Sequence, residues 1–246
     1  LTKMIWLKNR GVNLSMFDVH KVNFDMLKIA GVAEIGGRKK NENTIDFKQI
    51  IDKFFAVFLA LLLLPLMLLI SILIKINGPI FFTQPRLGKD GRVFNIIKFR
   101  TMIVNADDFL DSNGAPTRDR VTEIGKVLRT TSLDEIPQLF NIILGQMSFI
   151  GPRPTLVSHW NRYTKEQKKR SKMLPGITGW AQVCGRNEIP WSKRIELDIE
   201  YINNFSLWLD VVIAFKTIYV IFRRKDISMD RNTSSVDDLD GDKNEK

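Results

Sequence analysis

Apolar and polar positions alternate in different ways along this chain, and one stretch does not alternate at all. Residues 54–74 read FFAVFLALLLLPLMLLISILI, uncharged throughout and bounded by Lys53 and Lys75. As one straight helix this segment would reach roughly 30 Å, the thickness of a bilayer's hydrocarbon. It is apolar on every side, which suits a soluble core helix poorly. Pro65 falls near the midpoint, where an interior proline removes a backbone bond and costs about 3 kcal/mol unless the helix bends. Two readings remain: a proline-kinked span, or a re-entrant helix that breaks at Leu64-Pro65 and returns to the face it entered.

Beyond Lys75 the pattern shortens into that of a folded domain. Residues 80–82 and 93–97 are apolar or alternating between turn signals (Asn77-Gly78-Pro79, Gly88, Asp90-Gly91), so short strands are predicted. Residues 105–122 read as a loop or short helix. Helices are predicted over 124–129, 136–144, 160–173 and 193–203. The last apolar stretch, 207–222, is interrupted by Asp210 and Lys216 and is too short and charged to span. Trp208, Tyr219 and Arg223-Arg224 fit a helix lying in a membrane interface, and a core helix fits equally well. Residues 1–46 lack a sustained period and end in the linker-like GGRKKNENT, with no signal-peptide pattern at the start. The reading is α+β and mainly helical. A disordered leader (1–46), a helix-break-helix membrane segment (47–76), a catalytic domain (77–228) with short strands and interfacial amphipathic helices, and a disordered acidic tail (229–246) follow in order.

Composition narrows the chemistry. A single cysteine, Cys184, excludes an intrachain disulfide and a cysteine-rich zinc site, and two distant histidines make a histidine metal cluster a poor reading. Any metal should then be a hard cation held by oxygens, with Mg²⁺ the usual partner of phosphate. The net charge of +10 fits nucleic acid, an anionic leaflet or a phosphorylated substrate. The basic residues form no nucleic-acid recognition pattern, so nucleic acid is set aside. They flank the apolar segment instead: Arg38, Lys39, Lys40, Lys48 and Lys53 before it, and Lys75, Arg86, Lys89 and Arg92 after it. Basic flanks on both sides give the positive-inside rule no direction and suit two cytoplasmic ends. The cluster at 165–172 reads as solvated lysines.

The candidate chemistry lies in residues 128–155, LRTTSLDEIPQLFNIILGQMSFIGPRPT. Ser132-Leu133-Asp134-Glu135 has the spacing of a capping box, in which both end residues satisfy free N–H groups of a helix start. Pro137 follows too closely for a regular helix from Ser132, and the box has no use for Asp134. Lys98, Arg100, Arg129 and Arg153 lie on short segments able to converge there. A carboxylate beside arginines at a helix N-terminus is held ionised, as a nucleophile or Mg²⁺ ligand must be. The rigid Gly151-Pro152-Arg153-Pro154 turn pre-sets an arginine that can grip phosphate bidentately. Residues 175–182, PGITGWAQ, form a glycine-rich bend able to approach a ligand or to serve as a plain turn. These features point to Mg²⁺-dependent phosphoryl or phosphoglycosyl transfer at a membrane.

Four motifs in order, KFRTM (98–102), TSLDEIPQL (131–139), MSFIGPRP (147–154) and PGITGWAQ (175–182), resemble those of the bacterial sugar transferases, the monotopic polyprenyl-phosphate phosphoglycosyl transferases, in their minimal form. The resemblance covers about residues 47–228. It implies transfer of a sugar 1-phosphate from a UDP-sugar to undecaprenyl phosphate, releasing UMP, as the first membrane step of surface-glycan assembly. Asp134 would match the nucleophile and Mg²⁺ ligand, Glu135 its partner in catalysis and metal binding, and Lys98, Arg129 and Arg153 the phosphate-binding positions. It also favours the re-entrant reading, with the domain on the cytoplasmic face of a bacterial inner membrane. Homodimerisation and contact with downstream glycosyltransferases are further expected partnerships. Three positions depart from the pattern: Leu64 replaces the serine common before the proline, Gln146 an aspartate, and Cys184 an asparagine. The rival readings are a non-catalytic membrane-bound partner of glycan-assembly enzymes and a nucleotide-sugar diphosphatase.

Overall fold

The computed structural model describes residues 42–110, 119–185 and 189–223. The leader and tail expectations for residues 1–41 and 229–246 lie outside them. Helix α1 (Glu42–Leu62) is followed after one residue by α2 (Leu64–Lys75), with the two axes bent by 62°. The bend falls at Leu63, one residue before Leu64-Pro65. The Leu63 amide still donates to the Leu59 carbonyl, and its own carbonyl accepts from the Met67 amide, both at 2.8 Å. Pro65 therefore occupies the first turn of α2, where its missing N–H leaves no broken ladder. Neither helix alone is long and apolar enough to cross a membrane; the bent pair together passes that test.

Strands β1 (Phe81–Leu87) and β2 (Val93–Phe99) form an antiparallel hairpin in which Phe82 faces Lys98 and Arg86 faces Phe94. The two strands run longer than the apolar patches alone suggested. Helix α3 (Glu123–Thr131) begins at Thr122, whose hydroxyl accepts from the Gly125 amide at 2.9 Å, a regular N-cap. Helix α4 (Gln138–Ile143) leads into β3 (Ser148–Ile150), and β4 (Thr155–Leu156) adds to the free edge of β1. Strand β5 (Gly176–Thr178) pairs in parallel with β3, and α5 (Trp180–Cys184), α6 (Trp191–Asn203) and α7 (Leu207–Arg223) complete the described chain.

Residues 160–173, expected as one helix, form two short 3₁₀ segments instead, Val157–Arg162 and Gln167–Lys172. The interruption has a local cause. Thr164 and Gln167 exchange bonds of the capping-box kind, each side chain accepting from the other's amide at 3.0 and 3.2 Å, which restarts the chain there.

Four apolar clusters hold the elements together among the described residues, one of them around Tyr163 and Ile195. Trp180, Tyr201, Ile202, Leu209 and Ile213 fill the space between the β3–β5 pair and helices α5 to α7. Ala56 of α1 packs with Phe94, Ile96, Leu139 and Ile142, and Met67, Ile70 and Ile74 of α2 pack with Phe99 and Leu128. One face of the bent pair is thus core, while Phe54, Phe58, Leu61, Leu68 and Ile72 on the other are more than half exposed. A monomeric soluble surface rarely presents an apolar patch of this extent.

A buried polar network ties α1 to the far end of the domain. Lys48 is only 5% exposed and lies 3.3 Å from Asp52 and 2.8 Å from Asp210 of α7. Ser148 donates to Asp52 at 2.5 Å, and the Tyr201 hydroxyl donates to Asp210 at 2.7 Å. Lys48 was read as a membrane-flanking charge and is not one; its ammonium is enclosed between two carboxylates. Breaking such a pair from one side strands a buried charge, at a cost of about 3 kcal/mol or more. The two charges that interrupt α7 likewise turn inward, Asp210 to this network and Lys216 over the Trp180 ring at 4.9 Å. That leaves Trp208, Phe215, Ile218 and Tyr219 as an exposed apolar face, so α7 is a core helix on one side and exposed on the other.

Candidate active site

The stretch 128–139 does not fold as a capping box. Helix α3 stops at Ser132, which takes up the left-handed conformation at φ 59°. One 3₁₀ turn, Leu133–Glu135, follows, and Pro137 then opens α4. The Ser132 side chain makes no capping hydrogen bond. Asp134 and Glu135 thus stand on a short irregular link between two helices, where successive side chains leave in different directions.

Glu135 points to β2 and to the Gly-Pro-Arg-Pro turn. Lys98 Nζ donates to Glu135 Oε1 at 2.5 Å, and Arg153 Nη2 reaches the same oxygen at 3.5 Å. Burial pushes this carboxyl up, but the Arg153 and Lys98 charges outweigh it and hold Glu135 down at about 2. Asp134, next door and half-buried, forms no ion pair among the described residues. Its carboxyl is raised above the usual aspartate range by burial, with the Glu135 charge adding to the effect and Lys98 and Arg129 opposing it. Two adjacent acids therefore differ in their surroundings: Glu135 is paired with two cations, while Asp134 has no salt-bridge partner among the described residues.

The remaining basic residues are set in place by their own partners. Arg129, on the last turn of α3, donates Nε to the hydroxyl of buried Thr101 at 2.9 Å and acts on Asp134 through its charge. Arg100 turns away, donating to the Asn77 carbonyl at 3.0 Å beyond the end of α2. The Arg153 backbone is anchored from beneath, its carbonyl accepting from Arg170 Nη2 at 3.1 Å. Arg170 is itself buried, bonded to Asp198 and to the Tyr163 hydroxyl. With its main chain pinned, the Arg153 side chain stays 54% exposed and free to meet a ligand.

A family model described as bacterial sugar transferase matches residues 43–224. The chain belongs to the bacterial sugar transferase family. It is 41% identical over 174 residues to the uncharacterized sugar transferase EpsL of Bacillus subtilis (strain 168), covering 70% of this chain and 85% of EpsL. It is 40% identical over 225 residues to the UDP-glucose:undecaprenyl-phosphate glucose-1-phosphate transferase of Xanthomonas campestris pv. campestris, covering 85% of this chain and 46% of that enzyme. The exopolysaccharide production protein ExoY of Sinorhizobium fredii (strain NBRC 101917 / NGR234) is 39% identical over 188 residues, with 70% of this chain and 83% of ExoY covered. This chain thus spans less than half of the Xanthomonas transferase it matches.

In this chain the sequence-predicted residues Lys98, Glu135 and Arg153 meet at one carboxylate oxygen, with Asp134 and Arg129 alongside. Gln146 stands apart from them; its Oε1 accepts from the amide of fully buried Asn141 at 2.8 Å. Asn141 also bonds the Asn95 carbonyl and the Ile97 amide, which locks α4 against the strand that carries Lys98. Cys184 packs partly buried against the core around Trp180, and its thiol is pushed up to about 11, chiefly by burial. The glycines at 151, 176 and 179 serve close backbone packing. A Cβ at Gly176 would fall 2.1 Å from the Gly151 amide nitrogen, and one at Gly179 would fall 2.1 Å from the Gly151 carbonyl oxygen. Sequence reasoning passed over Thr101, Asn141, Arg170 and Asp198. The only visible trace of the buried pair was one arginine among the lysines of 165–172.

Proposed function

We propose that this chain transfers a sugar 1-phosphate from a UDP-sugar to undecaprenyl phosphate, through a covalent intermediate on Asp134. The observation that carries this reading is the contrast between Glu135, clamped by Lys98 and Arg153, and Asp134, half-buried without an ion pair among the described residues. A desolvated carboxylate beside fixed cations is a nucleophile prepared for an anionic diphosphate. The names of relatives supply the substrate class, since several are undecaprenyl-phosphate glucose-1-phosphate transferases.

In the first step an Asp134 carboxylate oxygen attacks the β-phosphorus, and the bond from that phosphorus to the bridging oxygen breaks. UMP leaves with the bridging oxygen and its electron pair, and the sugar phosphate stays on Asp134 as an acyl phosphate. In the second step an oxygen of undecaprenyl phosphate attacks the same phosphorus. The acyl–phosphate bond breaks, freeing the Asp134 carboxylate and giving undecaprenyl-diphospho-sugar. Arg129 and Arg153 hold the phosphates, and Lys98 keeps Glu135 ionised and fixed beside the reacting centre.

The donor set fits Mg²⁺. This ion typically takes one or two carboxylates and completes its shell with water and substrate phosphates. Asp134 offers an unpaired carboxylate with Glu135 adjacent, and no cluster of three metal-binding side chains occurs among the described residues. Asp134, with Glu135, would hold the ion. When bound, Mg²⁺ would neutralise charge developing on the departing UMP.

The exposed apolar faces of α1, α2 and α7 support a membrane location, and the bend at Leu63 supports the re-entrant form. With both ends of the pair cytoplasmic, the lipid phosphate meets the site at the inner leaflet. The test is UMP release by the detergent-solubilised protein with undecaprenyl phosphate, Mg²⁺ and a panel of UDP-sugars. Lipid-dependent release with one donor is the expected result and names the sugar. Repeated turnover that ignores the lipid, beyond one UMP per chain, would replace this reading with a diphosphatase.

A further inference from the structure

Arg86 lies in β1 on the same face as Gln84, opposite Phe94 of β2 and Leu156 of β4. Strand alternation puts Lys98, which faces Phe82, on that face too. Phe94 and Ile96, also on it, are buried against Leu139 and Ile142 of α4, the helix that follows Asp134-Glu135. This face of the sheet therefore looks onto the candidate site. Arg153 arrives at the Arg86 end because it precedes β4 by two residues, and Thr155 of β4 pairs with Leu87.

The surroundings of Arg86 are incomplete. Its Nη2 donates to Gln84 Oε1 at 2.5 Å, but its Nε is buried and has no acceptor. No carboxylate pairs with it among the described residues; burial lowers its pKa, and its charged neighbour Arg153 adds to that effect. Across the site, Lys98 and Arg153 share Glu135, and Arg129 donates its Nε to the neutral Thr101 hydroxyl. Positive charge is thus in excess where a buried N–H lacks an acceptor. A phosphate oxygen set between Arg86 and Arg153 would satisfy that N–H and separate the two like charges.

We propose that Arg86 is a further phosphate-binding residue, closing with Arg153 on the oxygens of one bound phosphate group. That group belongs to the diphosphate of the nucleotide sugar or to the lipid phosphate. The assignment rests on the transferase reading for its substrates, though its anion chemistry can be tested without turnover. Gln84 holds the guanidinium fork, so Arg86 would grip from β1 and Arg153 from the turn that leads into β4.

The experiment compares the full detergent-solubilised chain with its Arg86→Gln and Arg86→Lys variants. Inorganic pyrophosphate is titrated by tryptophan fluorescence, melting is recorded without ligand, and KM is measured for donor and for lipid phosphate. Arg86→Gln is expected to weaken pyrophosphate binding about tenfold, and Arg86→Lys less, since it keeps the charge and loses the fork. The unliganded Arg86→Gln protein should melt no lower than wild type, because a like charge has gone. A donor KM raised about tenfold identifies the nucleotide diphosphate as the bound group, and a lipid KM raised instead identifies the lipid phosphate. Pyrophosphate affinity and both KM values within about twofold of wild type would overturn the proposal, whatever the melting temperature does. Wild-type protein that binds pyrophosphate through Arg86 yet transfers nothing would remove the transferase reading and leave this site standing.

Discussion

Ser132 sits in the left-handed region at φ 59°, a conformation that costs a non-glycine residue about 1 kcal/mol. The turn it makes ends α3 and starts a 3₁₀ link, so Asp134 and Glu135 diverge instead of lying along one helix face. Their electrostatic consequences then differ in sign. Glu135 is held at about 2 against an ordinary 4.5, so its ion pairs stabilise the fold above pH 4.5 and fade as pH falls toward 2. The shift corresponds to about 3 kcal/mol at neutral pH, since one unit is about 1.4 kcal/mol. Glu135→Gln should therefore melt well below wild type at pH 7, with the gap narrowing as the solution is acidified below 4.5. A gap independent of pH would show that the carboxylate charge is not what Lys98 and Arg153 hold. Asp134 behaves oppositely: its carboxyl is raised, so ionising it costs stability above pH 3.8. The acid pair was readable in the sequence, whereas the left-handed Ser132 was not, because serine has no strong local preference for that conformation.

Among the elements, the bent pair α1–α2 was the most legible, since a run of apolar residues interrupted by proline leaves few structural options. What the sequence concealed was which face of it meets the domain. Ala56, Met67, Ile70 and Ile74 are buried and their neighbours are exposed, yet both sets are apolar. Lys48 misled for a similar reason: a lysine next to an apolar run looks like an anchor, and its partner Asp210 lies far away in sequence. Strand β4 and the β3–β5 pair were missed because two- and three-residue strands carry no period. The re-entrant reading yields a topology test. In a Cys184→Ser background, Thr44→Cys and Asn77→Cys flank the pair, and both should resist an impermeant maleimide applied to intact spheroplasts. Labelling of either one from outside would make the pair a kinked span.

At the scale of the whole molecule, the net charge of +10 and the exposed apolar faces have separate addresses. The apolar faces line α1, α2 and α7, while Lys98, Arg129 and Arg153 surround the two acids. Net charge alone fits a membrane and a phosphorylated substrate equally, and the sequence groups Arg86 with the charges that flank the apolar segment. Strand register pairs Arg86 with Phe94 and Leu156, on the sheet face that also carries Lys98, and that shared face is the basis of the phosphate-binding proposal for Arg86. The central claim is that Asp134 carries the sugar phosphate between a soluble donor and a lipid acceptor. The most direct measurement adds the donor found by the UDP-sugar panel to the protein without lipid and follows UMP and intact protein mass. Wild type should release up to one UMP per chain and gain one sugar phosphate, while Asp134→Asn, still folded, should do neither. Asp134→Asn protein that releases UMP or gains that mass would contradict the account.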